Sequence, residues 1–139
     1  MGKLTKLGIL HQLLIFNVGI GFAHGEQKAG PHGGSIMMPG AFHTELVVDK
    51  TENIARIYLL DMAFKDATTK ASEVEVHHVS NQKTTELTCK KMTDFFECRL
   101  NKSLNFESGK LSIKSKRSGI SGVEINYQLP LSLGDAAPH

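Results

Sequence analysis

From Ala41 onward, apolar and polar residues alternate in short runs, each closed by turn-forming Gly, Asn, Asp or Ser. This period-two pattern predicts strands over Phe42–Asp49, Ile54–Asp61, Glu73–Ser80, Thr84–Lys91, Phe95–Leu100, Lys110–Lys116 and Gly122–Leu129. No stretch in this region carries a helical period. Seven short strands at regular spacing predict an all-β chain, an immunoglobulin-like β-sandwich of about seven strands.

The alternation also assigns faces. Phe42, Leu46 and Val48 share one face, which leaves His43 and Glu45 on the other. Val123, Ile125, Tyr127 and Leu129 form one stripe, and Leu111 and Ile113 another. His78 continues the Val74, Val76 stripe, while His77 continues Glu73 and Glu75. Ile54–Leu60 is apolar on both faces, as a central strand would be. Asp61–Lys70 reads as a loop.

The N-terminal pattern differs. Lys3 and Lys6 precede an apolar run from Leu7 to Phe22, and small residues close it at Gly21-Phe22-Ala23. That order is the pattern of a secretory signal peptide. The run is short for a membrane span and is diluted by His11, Gln12 and Asn17. Cleavage is expected after Ala23. The expected organisation is a signal peptide (1–23), a Gly-rich N-terminal arm (24–40), a β-sandwich domain (41–134) and a flexible tail (135–139), with no membrane span after cleavage.

Charge follows from that division. The formal charge of +2 comes from the signal, since removing Lys3 and Lys6 leaves 14 basic and 14 acidic residues. A balanced chain has no electrostatic footprint for nucleic acid. The two cysteines, Cys89 and Cys98, read as a disulfide in an exported protein. If Thr93-Asp94 forms a two-residue turn, Met92 faces Phe95 and Cys89 falls opposite Cys98. That is a non-hydrogen-bonded pair, where side chains approach most closely. A dithiolate metal site suits an oxidising compartment poorly.

Enzyme signatures are absent: there is no HExxH, P-loop, GxGxxG or nucleophile elbow. The protein is expected not to be an enzyme. Chemistry concentrates instead near the start of the mature chain, where His24, His32, Met37, Met38 and His43 stand close together, with Glu45 just beyond. Imidazole and thioether groups suit copper, and thioethers favour Cu(I). Once exposed by cleavage, His24 could chelate through its amine and its ring together. Met37 and Met38, adjacent on extended chain, point to opposite faces, so one of them at most joins a site. The expected metal site is therefore His24, His32 and His43, with Glu45 and either Met37 or Met38. Its ion would be copper, as Cu(I) or Cu(II), with zinc or another divalent metal as the alternative. His77 and His78 point to opposite faces and are left out.

Gly30-Pro31-His32-Gly33-Gly34, then Gly40-Ala41-Phe42-His43-Thr44-Glu45-Leu46, then Ile57-Tyr58-Leu59-Leu60-Asp61 form a series of short motifs. The series resembles small periplasmic β-sandwich proteins and domains of bacterial copper and heavy-metal resistance. Among these are the N-terminal extensions of periplasmic adaptor subunits of metal efflux pumps. The resemblance covers residues 30–61. It implies copper binding in the periplasm, with His32 and His43 as matched ligand candidates and an efflux adaptor or pump as partner. The chain departs from the pattern in lacking long histidine tracts and adaptor coiled-coil or barrel segments. It would therefore buffer or deliver metal rather than transport it. The alternative expectation is an exported sandwich that recognises a protein or a glycan without metal.

Overall fold

A computed structural model describes residues 29–132. The signal peptide, His24 and the C-terminal tail lie outside the described residues. The described chain is all-β, in two antiparallel sheets. Its strands are β1 (Ser35–Met37), β2 (His43–Asp49), β3 (Ile54–Leu60), β4 (Glu73–Ser80), β5 (Lys83–Glu86), β6 (Thr88–Lys91), β7 (Phe96–Arg99), β8 (Lys110–Arg117), β9 (Ile120–Ser121) and β10 (Ile125–Gln128).

One sheet runs β1-β2-β3-β7-β6 and the other β10-β8-β4-β5, with β9 paired to β8. Setting aside β1, β5 and β9, this is the four-over-three strand order of an immunoglobulin-like sandwich. β3 is central in its sheet, as its two apolar faces require. Its Ala55, Ile57 and Leu59 point into the core, where they meet Leu46 of β2 and Val76, Leu111, Ile113 and Tyr127 of the opposite sheet. The Tyr127 hydroxyl donates to the Thr44 carbonyl at 2.7 Å and so ties β10 to β2 across the sandwich.

Two elements differ from the expected strands. Thr84–Lys91 is not one strand: β5 pairs with β4 in one sheet, and β6 pairs with β7 in the other. The chain changes sheets at Leu87, whose side chain enters the core and whose N–H donates to Val76 O at 2.9 Å. Gly122–Leu129 is also interrupted. Gly122 donates to Ser115 O and Val123 to Pro39 O, each at 2.9 Å, and these bonds draw the chain out of register before Ile125. Val123 is therefore exposed, whereas Ile125, Tyr127 and Leu129 are buried as expected.

The hairpin of β6 and β7 follows the expected register. Met92 donates to Phe95 O at 2.9 Å across the Thr93-Asp94 turn. Cys89 faces Cys98 and is disulfide-bonded to it, with Cα atoms 4.0 Å apart. In contrast to immunoglobulin domains, this bond joins neighbouring strands of one sheet and not the two sheets.

Candidate functional site

The Gly-rich segment before β1 is folded back on the sheet. Gly33 donates to Gly30 O at 2.9 Å and Gly30 to Gly34 O at 2.8 Å, which closes a tight turn with Gly33 at φ +78°. This turn covers the outer face of β2 at Glu45, whose side chain is wholly buried. Burying a carboxylate is costly unless hydrogen bonds replace its water. Here three N–H donors do so. Oε1 accepts from His32 N at 2.8 Å and Gly34 N at 2.9 Å, and Oε2 accepts from the His32 ring Nδ1 at 2.7 Å. Gly30 makes room for the group, since a Cβ there would stand 2.3 Å from the Glu45 carboxyl carbon.

The His32 ring lies flat on Tyr58, with centroids 3.7 Å apart and planes 7° from parallel. Tyr58 is the direct cross-strand partner of Glu45, and its own ring meets Phe95 at 5.2 Å. Burial raises the Tyr58 hydroxyl pKa; Glu45 and Asp94 add to the rise and Arg56 opposes it. Tyr58 thus stays a neutral, flat support. Because Nδ1 donates to Glu45, a neutral His32 ring keeps its lone pair on Nε2. Among the described residues Nε2 has no hydrogen-bond partner, and the side chain is 36% exposed.

His43 lies on the same outer face, two residues before Glu45. The Asp61 carbonyl stands 3.1 Å from its Nδ1 and can only accept, so Nδ1 carries the proton here too. Phe64 covers the ring at 4.1 Å and 23°. His32 and His43 each have Nδ1 tied to an oxygen and one ring face against an aromatic ring, but His32 is partly exposed whereas His43 is buried, 7% exposed. Successive same-face positions on a strand are about 7 Å apart, and each ring keeps its own partners. Among the described residues no three His, Cys, Asp or Glu side chains are placed to share one ion.

The other expected site residues separate clearly. Glu45 lies beside His32, but both its oxygens are occupied by the arm, so it orients an imidazole instead of offering a free ligand oxygen. Met37 packs partly buried against the core, opposite Thr44, whereas Met38 is 57% exposed. His78 is buried, with Nε2 3.1 Å from Ser108 O, and His77 lies 3.7 Å from Glu75 on the far sheet. Both are remote from the arm in the strand order. Sequence reasoning missed Tyr58 and Phe64. Tyr58 shares the outer face of its strand with Arg56 and Leu60, but its place beside Glu45 needs the β2–β3 register. Phe64 sits in a loop with no periodic signal.

Among the described residues no helix is long and apolar enough to cross a membrane. Comparison with protein-family models, with curated proteins and with solved structures gives no match.

Proposed function

We propose that the protein is an exported, periplasmic copper-binding protein that buffers the ion or hands it to an efflux system. One observation carries the reading: a buried carboxylate grips His32 Nδ1 at 2.7 Å and leaves Nε2 as the outward lone pair. Metal-bound histidines are oriented in this way, with the second ring N–H held by a carboxylate or carbonyl. The stacked Tyr58 and the arm's two backbone bonds to Glu45 fix the ring before any ion arrives. His32 is then the primary ligand and Glu45 its orienting partner. His24 and His43 are the further imidazoles of the proposal. A copper ion would bring to this site its affinity for imidazole nitrogen. The disulfide suits an oxidising compartment.

Titration of the full chain with Cu(II), and with Cu(I) under ascorbate, tests the reading. Saturable binding that weakens in His32→Ala is expected. Absence of saturable binding, or binding unchanged by His32→Ala, would leave the second reading: a sandwich that docks a protein. That alternative has its own support. Met38, Met62, Phe64, Ile120 and Val123 are all exposed, and their loops meet at one end through the Val123–Pro39, Gly119–Ala71 and Arg117–Asp66 hydrogen bonds.

A further inference from the structure

We infer that the end of the sandwich bearing Met38, Met62, Phe64, Ile120 and Val123 docks on a lipid bilayer, with these side chains entering its interfacial layer. The inference goes beyond the metal-binding reading and does not depend on it.

Segregation is the first observation. These five are the exposed large apolar side chains of the described residues, at 45–67% exposure. Met38 follows β1, Met62 and Phe64 lie in the β3–β4 loop, Ile120 follows the β8–β9 turn and Val123 precedes β10. The Val123–Pro39, Gly119–Ala71 and Arg117–Asp66 hydrogen bonds hold these loops together. The opposite end exposes Lys50, Glu52, Asn81, Gln82, Lys102 and Glu107 instead. Apolar side chains gathered at one end of a domain mark a contact surface, for protein or for lipid.

The backbone of the tips selects lipid. A protein partner returns about one hydrogen bond per 100–200 Å² of interface. Lipid tails return none, so chain that approaches them must satisfy its own donors. These loops do so. Asp61 Oδ1 accepts from Ala63 N and Lys65 N at 2.9 Å each, and Phe64 N donates to Asp61 O at 3.1 Å. Gly119 N, Gly122 N and Val123 N donate to Ala71 O, Ser115 O and Pro39 O. What the tips present outward is apolar side chain.

The direction of the chain is the third observation. Ala29 bridges antiparallel to Ser35, so its N-terminal side points along β1 towards Met37 and hence towards the same end. Six residues lead from Ala23 to Ala29, a reach of about 20 Å at most. The apolar run 7–22, expected to engage a membrane during export, is therefore tethered at the end that carries the apolar tips. Charge contributes little there, because Lys65, Lys70 and Arg117 are offset by Asp61, Asp66 and Asp94. Attachment through apolar contact should persist in high salt.

The chain has no tryptophan, so Ile120→Trp supplies a single reporter at the apolar end and Lys102→Trp one at the polar end. The test mixes the full chain, as the cell exports it and without copper, with phosphatidylethanolamine–phosphatidylglycerol vesicles whose brominated acyl chains quench tryptophan. Attachment through the N-terminal residues alone would not separate the two reporters; docking through the tips does. The reporter at position 120 should shift to the blue and be quenched, and the one at 102 should do neither. In vesicle sedimentation, Met62→Ser/Val123→Ser should lower the bound partition by about 10–100-fold, the transfer free energy of a few methylene groups. Both positions are exposed, and an unchanged urea midpoint confirms that the fold is kept. Absence of vesicle binding, equal quenching at the two positions, or a partition unchanged in the double variant overturns the inference. So does a blue shift at 120 that grows with protein concentration without vesicles, which would make a second copy of the chain the occupant. Copper titration of the same preparations reads the His32 site separately, so either reading can fail while the other stands.

Discussion

Glu45 and His32 are joined twice: the His32 backbone N–H reaches Oε1 at 2.8 Å and its ring Nδ1 reaches Oε2 at 2.7 Å. One wholly buried side chain therefore places both the backbone of the arm and the imidazole it carries. Glu45→Ala removes the acceptor for three N–H groups at once, including Gly34 N. The arm can regain water by lifting off, so the expected cost is about 2–4 kcal/mol, less than three separate penalties would sum to. Urea unfolding measures it; a loss within experimental error would mean that the arm is not held by this carboxyl group.

Glu45→Gln separates orientation from stability. The amide oxygen can still accept the two backbone donors, but its NH₂ would face Nδ1 and needs a lone pair there. The His32 proton should therefore move to Nε2, the nitrogen assigned to metal. Nitrogen-15 chemical shifts of the ring, read at a pH where it is neutral, should show the Nδ1–H tautomer in the wild type and Nε2–H in the variant. Copper affinity should fall with the tautomer change, while unfolding stability drops by only about 1–2 kcal/mol. The same tautomer in both proteins would remove Glu45 from its orienting role.

Gly30→Ala tests the seat from the other side. Its new Cβ would lie 2.3 Å from Cδ and 2.4 Å from Oε1 of a side chain pinned by three bonds. Overpacking of this kind costs about 1–3 kcal/mol. Hydrogen exchange at the His32 and Gly34 amides should accelerate. Gly40→Ala is the control, because a Cβ there meets only the Gly122 Cα at 3.9 Å. Equal protection in the two variants would contradict the close approach.

The disulfide gives a prediction that depends on the register. Cys89 and Cys98 already face each other in the hairpin, and Cys98 is fully buried. Replacing both by serine should cost about 2–3 kcal/mol, the loop-closure value for a short loop. Reductant should lower the wild-type urea midpoint towards that of the variant. A midpoint that ignores reductant would show that the cross-link contributes nothing beyond strand pairing.

Much of this architecture could be read from residue patterns, because alternation reports burial directly. Phe42 and Leu46, Leu111 and Ile113, and Val76 and His78 lie on the faces that their spacing assigns. The Cys89–Cys98 pairing followed from there being two cysteines in a chain read as exported, and the turn length between them placed them opposite each other. The failures occur where non-local contacts decide. Leu87 sends the chain into the second sheet by entering the core, yet the polar residues around it read as one continuous strand. Val123 keeps the right parity but is drawn out of register by Pro39, distant in sequence. At the site, sharing one face suggested His43 with Glu45, since both project outward from β2. The closer partner of Glu45 is His32, delivered by a turn that has no period. The aromatic supports Tyr58 and Phe64 needed knowledge of which strands and loops become neighbours.

Tyr127 supplies the prediction for alkaline pH. Burial is the main cause that raises its hydroxyl pKa far above the ordinary value, Glu45 adds to the rise, and a backbone hydrogen bond at Met37 opposes it. An unfolded tyrosine ionises near pH 10, while the folded one keeps its proton and its 2.7 Å bond to Thr44 O. The unfolded chain therefore binds fewer protons above that pH, and linkage makes stability fall as pH rises. Below about pH 9 the contribution is constant. Tyr58, also raised by burial, adds a smaller slope of the same sign. Tyr127→Phe should cost about 1 kcal/mol at neutral pH, through the lost hydrogen bond to a buried carbonyl. It should also flatten, though not abolish, the decline between pH 9.5 and 11 (roughly the range in which tyrosine titrates). Urea unfolding across that range compares the two proteins. Parallel curves would mean that the Tyr127 hydroxyl ionises in the folded protein as readily as in the unfolded chain, and that the bond between β10 and β2 does not shield it.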